Sequence, residues 1–119
     1  MLRWLRSLVR RPASPAAFDA ARGELLERWF RTASGAGKPK WLTWAAWESA
    51  GEPLFVRDLA LVPVVVRFEP VPGGPLDDVP QAREPRPVVA VFRWVRGYWT
   101  TDGRAVFNLT PQQVAAQLK

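Results

Sequence analysis

The chain has 119 residues, enough for one domain with a buried core and too few for two. It contains neither histidine nor cysteine, which excludes nucleophilic catalysis by those residues, zinc sites built from them, and disulfides. The formal net charge is +6, but four of the 17 basic residues are arginines within the first eleven positions. The rest of the chain, its body, has 13 basic and 11 acidic residues. The body is therefore nearly neutral, and nucleic-acid binding is unlikely.

Residues 1–12 are predicted to form a basic amphipathic segment that ends at Pro12. On a helix of 100° per residue, its apolar side chains share one arc and its arginines fill the other. Nine residues of this segment, five apolar and four basic, are candidates for contact with an anionic membrane surface, a protein partner or the protein's own sheet. The apolar set is Leu2, Trp4, Leu5, Leu8 and Val9, and the basic set is Arg3, Arg6, Arg10 and Arg11.

Targeting signals are not evident in this first segment. Arginine recurs too often for the apolar stretch of a secretory signal, and no apolar run is long enough to span a membrane. We therefore expect a cytoplasmic protein that is able to lie at the periphery of the inner membrane.

Residues 13–119 are expected to form a single α+β domain that begins with a core-packing helix. Ser14 can cap the helix and Pro15 fits its first turn. Apolar residues then recur at helical spacing from Phe18 to Phe30, and Ser34-Gly35 offers a stop. Residues 35–40 read as a linker.

The remainder of the chain favours strands, because its periodicity shifts towards two and Val, Trp, Phe and Thr become frequent. Pro63 has no N–H for a ladder, so its strand is expected to start at an edge or a bulge. A Pro- and Gly-rich loop is predicted at 70–87, and Thr110 begins a capping box for a short final helix. The predicted strands are 41–47 (for which a short helix is the alternative), 54–57, 61–69, 88–95, 98–101 and 104–109.

The pattern predicts N-terminal helices packed on an antiparallel sheet of about five to six strands. NTF2-like and cystatin-like folds are candidate architectures, by analogy only. Two-residue turns at Arg96-Gly97 and Asp102-Gly103 would give two successive hairpins. The first helix is then expected to cover the face of Val89 and Val91, leaving the other face as a contact surface. The binding candidates on that second face are Trp94, Trp99, Arg104 and Asn108.

Chemistry-bearing motifs are weak. The segment SGAGK at 34–38 lacks the first glycine and the final Ser or Thr of a phosphate-binding loop. The carboxylates sit mostly at turn positions, so we expect no catalytic residues, no metal site and no cofactor. The sequence thus leans towards a non-enzymatic protein.

Two segments carry a family resemblance. GEPLFVRD at 51–58 and TTDGRAVFNL at 100–109 resemble stretches of small uncharacterised bacterial α+β proteins, and together they cover under a fifth of the chain. The resemblance implies a bacterial α+β domain and carries no activity with it.

The functional hypothesis is an interaction domain that self-associates, most simply as a dimer, and contacts a membrane or a partner through its N-terminal helix. One alternative is a small-ligand pocket of NTF2-like architecture, between helix and sheet. A second alternative is nucleic-acid binding.

Overall fold

The computed structural model describes residues 12–35 and 41–118, so the predicted N-terminal helix and most of the 35–40 linker lie outside the described residues. The described part is an α+β fold with an antiparallel six-stranded sheet, which confirms that prediction. Its elements are α1 (Pro15–Gly35), β1 (Leu42–Ser49), β2 (Leu54–Val56), β3 (Leu59–Pro70), a 3-10 turn (Pro80–Arg83), β4 (Arg86–Val95), β5 (Tyr98–Thr100), β6 (Ala105–Phe107) and α2 (Pro111–Gln117).

Helix α1 begins where the sequence predicts. The Ser14 hydroxyl accepts a hydrogen bond from the backbone N–H of Ala17 at 3.1 Å, which satisfies one of the free amides of the first turn. One face of the helix is buried against the sheet, at spacings of three, four and seven residues. The buried residues of this face are Phe18, Leu25, Leu26, Trp29 and Ala33.

The sheet is four strands wide. Its order is β1-β3-β4-β5, while β2 also pairs with β3 and β6 also pairs with β4. Strands β1 and β2 therefore follow each other along one edge of β3, and β5 and β6 follow each other along the far edge of β4. The central pair runs from Leu59 opposite Arg93 to Val66 opposite Arg86.

Residues 42–49 are a strand, as favoured over the helical alternative. Their tryptophans are three residues apart, which is typical of a helix, but a β-bulge between Trp44 and Ala46 changes the alternation. Trp44 pairs with Phe68 and Trp47 pairs with Val66, so both indoles lie on the face that α1 covers. A bulge and a helical turn give the same spacing in the sequence.

Pro63 was expected at an edge or a bulge, but β3 is a central strand. The carbonyl of Pro63 accepts a hydrogen bond from the N–H of Ala50 at 2.9 Å, at the point where the edge passes from β1 to β2. The missing N–H of proline falls at this gap, where no regular ladder continues.

The larger core lies between α1 and the sheet. The ring of Phe18 packs edge-on against Phe55, Phe92 and Trp99, with centroids 5.1 to 5.7 Å apart. The indole N–H of Trp29 donates to the carbonyl of Arg104 at 2.9 Å, which satisfies its one polar atom inside the core. Aromatic rings thus fill the space between helix and sheet.

The prediction of which sheet face α1 covers is wrong. The helix packs on Val88, Ala90 and Phe92, while Val89 and Val91 belong to a second cluster on the opposite face. The predicted hairpin at Asp102-Gly103 is also wrong, because β5 and β6 pair with β4 and not with each other. The four residues 101–104 lie opposite only two residues of β4, between the Arg93–Thr100 and Ala90–Ala105 pairs.

The physical reason is that Asp102-Gly103 serves a close approach rather than a turn between paired strands. Gly103 has a φ of +84°, and a Cβ there would lie 2.7 Å from the backbone nitrogen of Ala33 in α1. The Thr101 hydroxyl donates to the carbonyl of Val91 at 2.9 Å and accepts from the N–H of Gly103 at 3.0 Å. These bonds hold the segment against α1 and the edge of β4.

The second face carries a smaller core under α2. Leu61, Val89, Val91 and Val114 are buried together there. The predicted capping box is present, because Thr110 and Gln113 exchange hydrogen bonds between side chain and backbone at 2.8 and 3.1 Å. The sheet is therefore covered by α1 on one face and in part by α2 on the other.

Candidate functional site

The four binding candidates do not form one surface, although two of them, Trp94 and Trp99, are in contact. Trp99 is 5% exposed beneath α1, and its indole N–H donates to the carbonyl of Ser14 at 2.8 Å. Trp94 is half-buried in the same cluster, with its ring 5.3 Å from that of Trp99. Arg104 and Asn108 are exposed. The expected side-by-side surface of Trp94, Trp99 and Arg104 on an open face is therefore wrong, because that face is the floor of the main core.

The structure does fix where the N-terminal segment joins the domain. The nine candidate residues of that segment lie outside the described residues, but Ser14 is held by Trp99, the second residue of β5 after the β4–β5 turn. Phe18, one turn into α1, packs against Phe55 and Trp99. The segment is thus connected to one end of the sheet, where the β2–β3 and β4–β5 turns lie.

We call this region the basic end and define it by Arg57, Arg93 and Arg96. The two turns are neighbours, since the N–H of Trp94 donates to the carbonyl of Asp58 at 2.7 Å. Arg93 lies opposite Leu59, at the start of β3. All three arginines are exposed. The basic end therefore places three arginines at the end of the sheet to which the N-terminal segment, with four more, is connected, and Asp58 is the acidic residue of the two turns.

Within the described ranges 12–35 and 41–118, no ion pair neutralises the arginines of the basic end. Ion pairs between described residues involve Arg22 and Arg83, and none of them includes Arg57, Arg93 or Arg96. Their positive charge is consequently available to an anion outside the chain.

Two of these arginines also have an unusual backbone conformation. The φ angle is +56° at Arg57 and +52° at Arg96, in the left-handed region that costs a residue with a Cβ about 1 kcal/mol. The other non-glycine residue with positive φ in the described ranges is Asn108, a residue type that tolerates this region. Both turns of the basic end thus use arginine where glycine or asparagine fits the backbone better.

Sequence reasoning identified Arg96-Gly97 as a turn but missed the basic end as a surface. The usable signal was an arginine at each two-residue turn, Arg57-Asp58 and Arg96-Gly97, in place of the usual Asn-Gly or Gly-X. Which turns share an end depends on strand pairing, and this information is not local to either turn.

The described part of the chain offers neither a candidate metal site nor a membrane-spanning helix. Its Asp and Glu side chains form no group of three or more that could hold a metal ion. Neither described helix has the length and hydrophobicity needed to cross a bilayer.

The comparisons with known proteins add no relative from which a function could be transferred. No protein-family model, curated protein or solved structure matches the chain.

Proposed function

We propose that this protein is an interaction domain that binds an anionic membrane surface through its N-terminal segment and its basic end together. The observation that carries the proposal is the pair of arginines in left-handed turns, Arg57 and Arg96. Backbone strain retained at an exposed position points to a role for the side chain outside the fold. In a bacterial cell, such a protein would lie at the cytoplasmic side of the inner membrane.

The N-terminal segment and the basic end contribute differently to the free energy of membrane binding. The N-terminal segment would supply an apolar arc. A helix of eleven residues would be about 16 Å long, which is marginal alone in water, and it would form best on an apolar surface. Each arginine near an anionic leaflet contributes about 1 kcal/mol at ordinary salt. The ordering of the segment opposes both terms. The balance predicts weak, reversible binding, comparable to that of a single lipid anchor.

Docking of the segment on the Trp94 and Trp99 face was the alternative use of its apolar arc. That face is occupied by α1, whose Phe18 and Trp29 are fully buried against it. The loss of this alternative favours an external surface.

Vesicle flotation tests the proposal with two matched full-length variants. Leu5→Glu and Ser7→Glu each add one negative charge to the N-terminal segment, the first in its apolar arc and the second in its polar arc. We expect the unmodified chain to float with vesicles containing phosphatidylglycerol and not with neutral vesicles. Leu5→Glu should abolish flotation, whereas Ser7→Glu should weaken it by about fivefold, the effect of one charge. Equal flotation of all three chains would contradict the proposal.

Nucleic-acid binding also responds to arginine and salt, so a competition separates the two. An excess of duplex DNA should leave flotation unchanged. Displacement of the protein from vesicles by DNA would instead favour the nucleic-acid alternative.

A second candidate function is self-association, favoured by the outer edge of β1. This strand has eight residues, pairs on one side with β3, and carries Glu48 as its charged residue. A long edge with little charge can pair with another strand, although the bulge between Trp44 and Ala46 partly protects it. We propose a dimer formed along this edge.

Sedimentation equilibrium tests the dimer. The full chain should show a mass that rises with concentration towards twice the monomer. Ala46→Lys, at an exposed edge position, should shift the protein to monomer without loss of folding. A monomer at all concentrations for the unmodified chain would refute self-association while leaving membrane binding untouched.

A further inference from the structure

A second feature adjoins the basic end on the face of the sheet that α2 partly covers. It is a half-open cavity of about 210 Å³ beside the end of β4. Apolar and polar side chains both line it. The lining residues include Val91, Arg93 and Val95 of β4, Thr100 and Thr101, and Asp102 and Arg104 of the segment that follows β5. We propose that this cavity binds a phosphate group, and the proposal rests on the proposed function because it names the anion that the basic end recognises.

The charges of the cavity favour an anion. Arg93 and Arg104 both line it, and neither forms an ion pair within the described ranges 12–35 and 41–118. Asp102 is the acidic residue of the lining, and its carboxylate accepts a hydrogen bond from the backbone N–H of Arg104 at 3.2 Å. Two guanidinium groups and one carboxylate leave a net positive site.

The geometry matches the hydrogen-bonding chemistry of phosphate. Arginine presents planar pairs of N–H donors that fit phosphate oxygens in a bidentate manner. Thr100 lies directly opposite Arg93 in the sheet and also lines the cavity, so its hydroxyl can supply a neutral donor on the same face. A volume of about 210 Å³ corresponds to about seven waters, which suits a phosphate with a small substituent.

The wall of the cavity is fixed before any ligand arrives. The Thr101 hydroxyl bonds both to the carbonyl of Val91 and to the N–H of Gly103, and Gly103 lies against the end of α1. A preorganised wall lowers the entropy lost on binding. The segment 101–104, which departs from the predicted hairpin, therefore builds one side of the site.

The test is an NMR titration of the full chain with inorganic phosphate, using chloride at equal ionic strength as the control. We expect saturable shifts of the Thr100, Thr101 and Gly103 amides at millimolar phosphate. Arg93→Gln should weaken phosphate binding at least about tenfold, because a charge-assisted contact is lost. The affinity of Arg93→Lys should fall between those of the unmodified chain and Arg93→Gln. The matched control is Arg67→Gln, an exposed arginine on another part of the sheet, which should leave the affinity unchanged. Absence of saturation, or equal loss in Arg67→Gln and Arg93→Gln, would overturn the proposal.

The source of the phosphate is decided by a second arm. Vesicles of phosphatidylglycerol present a lipid phosphate, and glycerol phosphate presents the same group in solution. Loss of one charge from the basic end weakens vesicle binding by about fivefold, as in Arg57→Gln. If Arg93→Gln weakens vesicle binding clearly more than Arg57→Gln does, the cavity takes a lipid headgroup. If the two variants weaken it equally and Arg93→Gln alone weakens glycerol phosphate binding, the cavity takes a free phosphate ester. Failure of vesicle binding with intact phosphate binding would reject the proposed function and keep this site.

Discussion

The two ends of the central β3–β4 pair differ in whether their arginines form ion pairs. At the end where β3 passes into β4, the segment 71–85 is held by Arg83, whose guanidinium reaches Glu69 at 3.6 Å and the carboxylate of Asp77 at 3.3 Å. At the basic end, Arg57 and Arg96 have no such partner among the described residues and sit in left-handed turns. One end uses arginine to hold the chain, and the other displays it.

This difference separates two roles that composition cannot distinguish. Arg83 also donates to the carbonyl of Asp77 at 3.0 Å, so its contacts close a loop that the sequence predicts only as long and exposed. Arg57 and Arg96 make their turns less favourable, and both residues are exposed. The net charge of +6 therefore does not show that the unpaired arginines are concentrated at one end of the sheet.

The largest expected effect is on the scaffold of the basic end. Trp99→Ala removes an indole that is 5% exposed and that holds Ser14, so the free energy of unfolding should fall by about 3 to 5 kcal/mol. Trp99→Phe keeps a ring and loses the hydrogen bond, and should cost about 1 to 2 kcal/mol. Urea denaturation measures both. A similar small loss for the two variants would mean that α1 is not anchored there.

The next effect compares two glycines at nearly the same φ, one in the segment 101–104 beside the cavity and one in the segment 71–85. Gly103 (φ +84°) touches α1, whereas Gly73 (φ +78°), in the segment 71–85, has no atom within 4 Å of an added Cβ. Gly73→Ala should cost about 1 kcal/mol, the price of the left-handed conformation alone. Gly103→Ala should cost more than twice as much, because Thr32 and Ala33 must also move. Thermal unfolding of both variants would show equal losses if the close approach to α1 does not occur.

The smallest effect concerns Arg83. Its side chain is 46% exposed, and surface ion pairs contribute little, so Arg83→Gln should reduce stability by no more than about 1 kcal/mol. Vesicle affinity should not change beyond experimental error, because this arginine is at the far end of the sheet and already paired. A loss of vesicle binding equal to that of a basic-end variant would remove the distinction between the two ends.

Much of the fold follows from local signals in the sequence. The Ser14-Pro15 start of α1 and the Thr110 capping box of α2 were predicted because each depends on a few adjacent residues. The β4–β5 pairing of Val95 with Tyr98 was predicted from the Arg96-Gly97 turn in the same way.

The sheet faces could not be predicted, because the dipeptide Asp102-Gly103 serves equally for a hairpin or for a close approach to a helix. The choice depends on Ala33, which is remote in sequence. The basic end was missed for a related reason. Arg57 lies 36 residues before Arg93 and 39 before Arg96, and it meets them only through the pairing of β3 with β4. An arginine in the sequence also does not predict a left-handed turn position, as a glycine or an asparagine does.

The double variant Arg57→Asn/Arg96→Asn tests the central claim most directly, because stability and binding should move in opposite directions. Asparagine tolerates the left-handed region, so the free energy of unfolding should rise by up to about 1 kcal/mol per site. Two lost charges should weaken flotation on anionic vesicles by about ten- to thirtyfold. A variant that is more stable and still binds these vesicles as tightly as the unmodified chain would contradict the account, and so would a variant that loses stability.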